Sequence, residues 1–188
     1  MRQMFLGVVF LLCLASVPLA GGRLSALGDL RLRAPWLALA AIALQIVIVS
    51  VLPGASAGFH EAVHMVSYAM LGACAWLNRR IPGVPLIALG GLLNFVAIAA
   101  NGGVMPADPD LVVDAAQRGG EGFVNSGVVD EPRLLFLGDV LGTPASWPLA
   151  NVYSVGDLVL VLGVVVLLHR VCGSRLVPRR WRAVPAGA

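Results

Sequence analysis

The chain of 188 residues is 59% hydrophobic and 12% charged, with a formal net charge of +3 at pH 7. Its mean hydropathy of +0.88 lies outside the range of water-soluble domains, so the composition argues against a soluble enzyme and for a membrane protein. The 13 basic residues are all arginines, and they stand mostly at the ends of apolar runs. Because they form no basic face with interleaved aromatic residues, we exclude nucleic acid as a partner.

Two apolar runs open the chain. We predict a retained first membrane span over residues 4–20, the alternative being a signal peptide that is cleaved after this run. A short basic loop follows over residues 21–33. Pro35 and Trp36 begin the second span, residues 35–52, because proline suits the first turn of a helix and tryptophan suits the headgroup level.

Three further spans are predicted, and they cover residues 60–77, 81–100 and 154–172. Each is close to the roughly 20 residues that cross a bilayer. Placing the N-terminus outside and the C-terminus in the cytoplasm puts ten of the 13 arginines on the cytoplasmic side, as the positive-inside rule requires. The predicted fold class is therefore all-α, a bundle of five transmembrane helices in the plasma membrane. It forms one domain over residues 1–172, and a basic, disordered cytoplasmic tail is expected over residues 173–188.

The long outer loop, residues 101–153, is predicted to contain structure of its own, since mere connections are shorter. Asp108, Pro109 and Asp110 are typical of a helix start, with a capping residue, a proline in the first turn and an acidic side chain. We therefore predict a short helix that runs as far as Gln117.

One face of the fourth span carries two carboxamides. Asn94 and Asn101 are seven residues apart and share this face with small residues that include Gly83 and Gly90, a spacing that turns one side of a helix towards its neighbours. A carboxamide facing lipid would cost several kcal/mol, so both asparagines should face protein or water. Together with Asn151 they indicate either a polar binding pocket or hydrogen bonds that only fix the bundle.

Two carboxylates that each follow a glycine lie on the same predicted side. Asp139 and Asp157 could share a proton or bind a cation there. The alternative role is structural, because Ser154 and Asp157 have the spacing of a capping box. In that motif the serine caps the helix and the carboxylate lies at its positive end.

The third span opens with a possible zinc motif, His60-Glu61-Ala62-Val63-His64. Two imidazoles four residues apart on a helix can hold Zn²⁺, and the intervening glutamate can activate the bound water. A third ligand is needed, for which Asp139 and Asp157 are the candidates. The alternative is that His60 and Glu61 are simply solvated at the boundary between loop and helix.

A set of short motifs runs through most of the chain. They are Gly21-Gly22-Arg23-Leu24, Leu93-Asn94-Phe95, Ala100-Asn101-Gly102-Gly103 with Met105-Pro106, Phe136-Leu137-Gly138-Asp139 and Ser154-Val155-Gly156-Asp157. In this set the chain resembles an uncharacterised family of small actinobacterial integral membrane proteins. The resemblance implies an actinobacterial plasma membrane, and it implies no activity.

These observations favour a non-enzymatic membrane component with a polar outer cavity that binds a small ligand, a lipid or a partner protein. The residues expected to line that cavity are Asn94, Asn101, Asp139, Asn151 and Asp157. This interpretation requires no cofactor, and its partners are the lipid bilayer and either another membrane protein or a lipid. The alternative is an intramembrane hydrolase, a zinc metalloprotease with His60 and His64 as ligands and Glu61 as the base.

Overall fold

A computed structural model describes residues 2–50, 57–111, 126–143 and 152–178. Its principal helices are α1 (Arg2–Leu19), α2 (Pro35–Ser50), α3 (Ala57–Leu77), α4 (Val84–Ala100) and α5 (Val155–Val171). Shorter 3₁₀ helices cover Leu24–Asp29 and Leu135–Leu137. The apolar runs in the sequence therefore predicted the positions of these helices to within a few residues.

Two pairs of helices dominate the packing, α4 with α5 and α2 with α3, and α1 lies against α5. The α4–α5 contact is close because glycines face each other across it. A Cβ atom added at Gly90 would lie 2.5 Å from the carbonyl oxygen of Gly156, and one added at Gly163 would lie 2.6 Å from the backbone nitrogen of Ile87. The face of α4 that the sequence singled out therefore does point at another helix, and α5 is that helix.

Short strands join the helix ends. Strand β1 (Met105–Pro106) pairs in parallel with β2 (Ser126–Gly127), and β3 (Asp139–Gly142) pairs antiparallel with β4 (Val152–Ser154). The all-α prediction contained no strands, because segments of two to four residues are too short to show an alternating pattern in the sequence. Strand β4 ends where α5 begins, and this junction places the first turn of α5 beside β3.

The predicted short helix after Asp108 begins as expected. The backbone N–H of Asp110 donates to the Asp108 carboxylate at 3.0 Å, and helical structure starts at Pro109. The rest of this predicted helix, including Gln117, lies outside the described residues.

The prediction of five membrane spans is wrong. Within the described ranges, no helix is both long enough and apolar enough to cross a membrane. Helices α4 and α5 each have 17 residues, which at 1.5 Å per residue is about 26 Å, short of the roughly 30 Å of a hydrocarbon core. Composition measures how many residues are apolar, and it does not measure how long each uninterrupted helix is.

The predictions that depended on these spans fall with them. They are the bundle of five transmembrane helices, the N-terminus outside with a cytoplasmic C-terminus, and the multi-pass location in the plasma membrane. Part of the predicted tail also has a defined structure. Ser174 is fully buried, and the Arg175 N–H donates to the Ala20 carbonyl oxygen at 2.8 Å, while residues 179–188 lie outside the described part of the chain.

Candidate functional site

The first turn of α5 carries the capping box that the sequence predicted. The Ser154 hydroxyl accepts a hydrogen bond from the Asp157 backbone N–H at 2.9 Å. In return the Asp157 carboxylate accepts one from the Ser154 N–H at 3.1 Å. Both bonds satisfy backbone donors that a helix start leaves without an internal partner, so the role of this pair in stabilising α5 is direct.

Asn94 of α4 extends the capping box into a closed ring of hydrogen bonds. Its amide nitrogen donates to Asp157 Oδ1 at 2.8 Å, and its carbonyl oxygen accepts from the Ser154 hydroxyl at 2.8 Å. We call Asn94, Ser154 and Asp157 the polar ring. Ser154 is fully buried within it, whereas Asn94 and Asp157 are partly exposed.

Gly156 is required for this ring to form. A Cβ atom added there would collide with the side-chain oxygen of Asn94, and it would lie 2.7 Å from the carbonyl oxygen of Gly90. A side chain at this position would therefore push the two helices apart and break the bonds from Asn94. This contact gives a steric reason for the glycine before Asp157.

Tyr68 of α3 is electrostatically coupled to the polar ring. Its phenol has a raised pKa, first because it is buried and second because the Asp157 carboxylate is near. Its ring lies 5.4 Å from that of Phe95, centroid to centroid, at 52°, a tilted geometry common for aromatic pairs. Three helices thus contribute to this end of the molecule.

Asp139 lies next to Ser154 of the polar ring. The two residues are partners in the β3–β4 ladder, and Asp139 is almost completely buried. Its backbone carbonyl accepts from the Asp108 N–H at 3.2 Å. The structure therefore brings three of the predicted site residues, Asn94, Asp139 and Asp157, close to the serine at the start of α5.

The fourth predicted site residue, Asn101, makes no hydrogen bond to the polar ring in the described part of the chain and bonds to the backbone of Arg133. Its amide nitrogen donates to the carbonyl oxygen of Arg133 at 2.8 Å, and its oxygen accepts from the Arg133 N–H at 2.9 Å. A further bond joins it to the Ala97 carbonyl at 2.7 Å. Asn101 thus holds the loop before β3 against the end of α4. The fifth predicted residue, Asn151, lies outside the described residues.

The zinc motif is only partly visible. Helix α3 begins at Ala57, so His60 and His64 do lie four residues apart on one helix. The side chains of His60 and Glu61 are outside the described part of the structure, and His64 is partly buried. No group of three or more His, Cys, Asp or Glu side chains that could hold a metal ion occurs among the residues the structure describes.

A buried histidine lies near the other end of α5, and it was not among the residues predicted from the sequence. His169 is 4% exposed, with Nδ1 2.7 Å from the Ser174 hydroxyl and Nε2 3.1 Å from the Ser16 hydroxyl. The Ser16 hydroxyl donates its own hydrogen to the Cys13 carbonyl at 2.7 Å, so its oxygen can accept a hydrogen bond from the imidazole. The sequence feature that could have indicated this contact is the position of His169 at the end of the apolar run that forms α5.

Comparison with known proteins places the chain in a family. An uncharacterised protein of Thermotoga maritima is 30% identical over 105 residues, which are 55% of this chain and 61% of the relative, so the match spans less than two thirds of that protein. No solved structure matches the chain. A family model matches residues 29–169. This match confirms the expected membership of an uncharacterised family, while the actinobacterial source and the separate motifs stay predictions. The chain belongs to DUF5317, a family of unknown function.

Proposed function

We propose that this chain is a non-enzymatic binding protein that recognises a small ligand or a partner protein at the polar ring. A single observation carries this proposal. The Asp157 carboxylate is fixed in place by two hydrogen bonds, and Asp157 as a residue is partly exposed. A carboxylate that is already oriented loses little freedom when it binds, which favours recognition.

The chemistry of the expected ligand follows from the remaining acceptor capacity of Asp157. Each carboxylate oxygen offers about two acceptor positions. The amide of Asn94 occupies one on Oδ1 and the Ser154 N–H occupies one on Oδ2. The remaining positions suit a donor with positive charge, such as an ammonium or a guanidinium group, because charge-assisted hydrogen bonds are the stronger ones.

The bonding of Ser154 supports a binding role over a hydrolytic one. A nucleophilic serine donates its hydrogen to a general base. The Ser154 hydroxyl instead donates to the carboxamide oxygen of Asn94, which cannot take up a proton, and accepts from the Asp157 N–H. Its complete burial also keeps it from a substrate.

A zinc hydrolase stays the alternative, and one observation favours it. Because α3 starts three residues before His60, the two histidines of the motif have the helical spacing that a metal site needs. The third ligand remains a prediction.

The binding proposal can be tested with agmatine and spermidine, which carry guanidinium or ammonium groups. We expect saturable binding by calorimetry at low ionic strength, and a loss of affinity of about ten-fold or more in Asp157→Asn. The matched control is Asp29→Asn, which removes an exposed carboxylate from another part of the chain. Equal loss in both variants, or no binding to the unmodified chain, would contradict the proposal.

A further inference from the structure

Four arginines come from two segments that are far apart in sequence. They are Arg31 and Arg33, before α2, and Arg79 and Arg80, after α3. All four are exposed. We call these four residues the basic cluster, and it involves none of the residues of the polar ring.

Asn78 joins the two segments. Its carboxamide oxygen accepts from the Arg33 N–H at 2.8 Å, and its nitrogen donates to the Arg33 carbonyl oxygen at 2.9 Å. A third bond joins the same nitrogen to the Cys74 carbonyl at 2.8 Å, and Asn78 is 5% exposed. Asn78 directly precedes Arg79 in the chain. Because its buried side chain makes this many bonds, it fixes the backbone of Arg33 beside the segment that begins with Arg79.

No salt bridge to the arginines of the basic cluster is found within the described part of the chain. The acidic residue nearest in sequence is Asp29, and no ion pair joins it to these arginines in that part. Arg79 is partly oriented already, since its guanidinium lies 4.3 Å from the centre of the Trp76 ring and donates to the Trp76 carbonyl at 2.8 Å. The bonds of Asn78 bring the Arg33 backbone next to the segment that carries Arg79 and Arg80, and positive charges on neighbouring segments favour a counter-charge.

An open hollow of about 480 Å³ contains one residue of this cluster, Arg31, and its other lining residues are Gly28, Asp29, Leu30 and Leu32. Leu32, which lines the hollow, directly precedes Arg33, and Asn78 holds the backbone of Arg33 in place. The hollow is large enough for a small multiply charged anion, and arginine guanidinium groups match the oxygens of phosphate in pairs. We infer that the basic cluster is a binding site for a phosphate-bearing anion, assembled by Asn78.

The chain contains a matched control for this inference. Arg133 is also exposed and is held through its backbone by Asn101 in the same two-bond arrangement. It has no other arginine beside it in sequence, and Asp130 and Glu131 lie close to it instead. Arg133 therefore has the same pair of backbone hydrogen bonds to an asparagine as Arg33, but it lacks neighbouring arginines.

Calorimetric titration of the full chain with inorganic tripolyphosphate tests the site. We expect one site per chain, an affinity that falls as salt rises, and a loss of about ten-fold in Arg80→Gln, which leaves the bonds of Asn78 intact. Asn78→Ala, checked for folding by circular dichroism, should weaken binding as well. Arg133→Gln and Asp157→Asn should bind normally, the latter because the polar ring is a separate site.

Three results would overturn the inference: no saturable binding, binding of several anions with no defined stoichiometry, or an equal loss in Arg133→Gln and Arg80→Gln. Vesicles of phosphatidylglycerol, tested beside tripolyphosphate, identify the source of the phosphate. Competition between the two indicates a lipid headgroup, and binding of tripolyphosphate alone indicates a free compound.

Discussion

Asn94 donates a hydrogen bond to Asp157 across the glycine-lined contact between α4 and α5, with 2.8 Å between Nδ2 and Oδ1. The two residues are 63 positions apart, and the glycines on either side of the contact bring their backbones together. The bond therefore depends on the packing of α4 against α5, and it also completes the cap of α5. One asparagine thus serves tertiary packing and local helix stability together.

Replacing Asn94 with leucine should lower the free energy of unfolding by about 2 kcal/mol or more. The change removes the acceptor of the fully buried Ser154 hydroxyl and one donor to Asp157, and an unpaired buried polar group costs about 1–3 kcal/mol. Denaturant titration measures this loss. Leu92→Ala, at a position on the same helix that is 55% exposed, serves as the control. Equal or greater stability of Asn94→Leu would show that the ring has no structural role.

Two adjacent glycines of α4 should respond in opposite directions to alanine. In Gly90→Ala the new methyl group would lie 2.5 Å from the Gly156 carbonyl oxygen, whereas at Gly91 nothing lies within 4 Å. We expect Gly90→Ala to separate the helices and destabilise the fold severely. Gly91→Ala should stabilise it by about 0.5–1 kcal/mol, because alanine is the better helix former. Thermal unfolding of the pair measures both effects, and destabilisation by both substitutions alike would contradict the packing.

Much of the helical framework could be predicted from the sequence, because its signals are local. Apolar runs predicted the helices, and the spacing of Ser154 and Asp157 predicted the capping box. The four- and three-residue spacing of small residues and asparagines predicted which face of α4 is packed. Each of these depends on residues within one or two turns of one another.

The features that could not be predicted are of two kinds. Some are contacts between residues distant in sequence, and the other is the length of each helix, which composition does not give. The interaction of Asn101 with Arg133 spans 32 positions, and that of Asn78 with Arg33 spans 45. No periodic pattern indicates such a backbone contact. The prediction of membrane spans was wrong for another reason. It inferred a membrane environment from the mean hydropathy of the whole chain, whereas no described helix is both long enough and apolar enough to cross a membrane.

The pKa of Tyr68 should fall when Asp157 is replaced by asparagine. Burial is the larger cause of the raised pKa and the Asp157 charge the smaller, so the pKa should move only part of the way back to its ordinary value of 10.0. The chain has two tyrosines, and Tyr153→Phe leaves Tyr68 as the single phenol. Its titration can then be followed by phenolate absorbance. An unchanged pKa in Asp157→Asn would place the carboxylate too far away to interact.

The same shift predicts how stability depends on pH. Because the folded state holds the phenolic proton more tightly than the unfolded state, the stabilising contribution is fully present below pH 10.0. It is lost as the pH rises through the folded pKa, since the unfolded chain then binds fewer protons. Tyr68→Phe should remove this part of the alkaline loss, which unfolding curves on either side of pH 10 would measure. The same alkaline slope in both proteins would contradict the assignment.

Asn101→Asp should loosen the loop at Arg133 while leaving the polar ring intact. Aspartate still accepts the Arg133 N–H, but it cannot donate to the carbonyl oxygens of Arg133 and Ala97, as the asparagine does. We expect faster amide hydrogen exchange around Arg133 and normal exchange at the start of α5. Faster exchange throughout the molecule would mean that Asn101 supports the whole fold and not one loop.

Metal analysis of protein purified without chelators should decide between binding protein and hydrolase. A zinc site needs two neutral imidazoles on one helix, a third ligand and an open position for water. Helix α3 provides the spacing of His60 and His64, whereas Asp139 and Asp157 both adjoin Ser154 and take part in the junction of β4 and α5. We therefore expect well under one zinc per chain, unchanged in His64→Ala. Stoichiometric zinc that disappears in His64→Ala would contradict the binding proposal. If Glu61→Gln then kept the metal and lost peptide hydrolysis, Glu61 would be the general base of an enzyme.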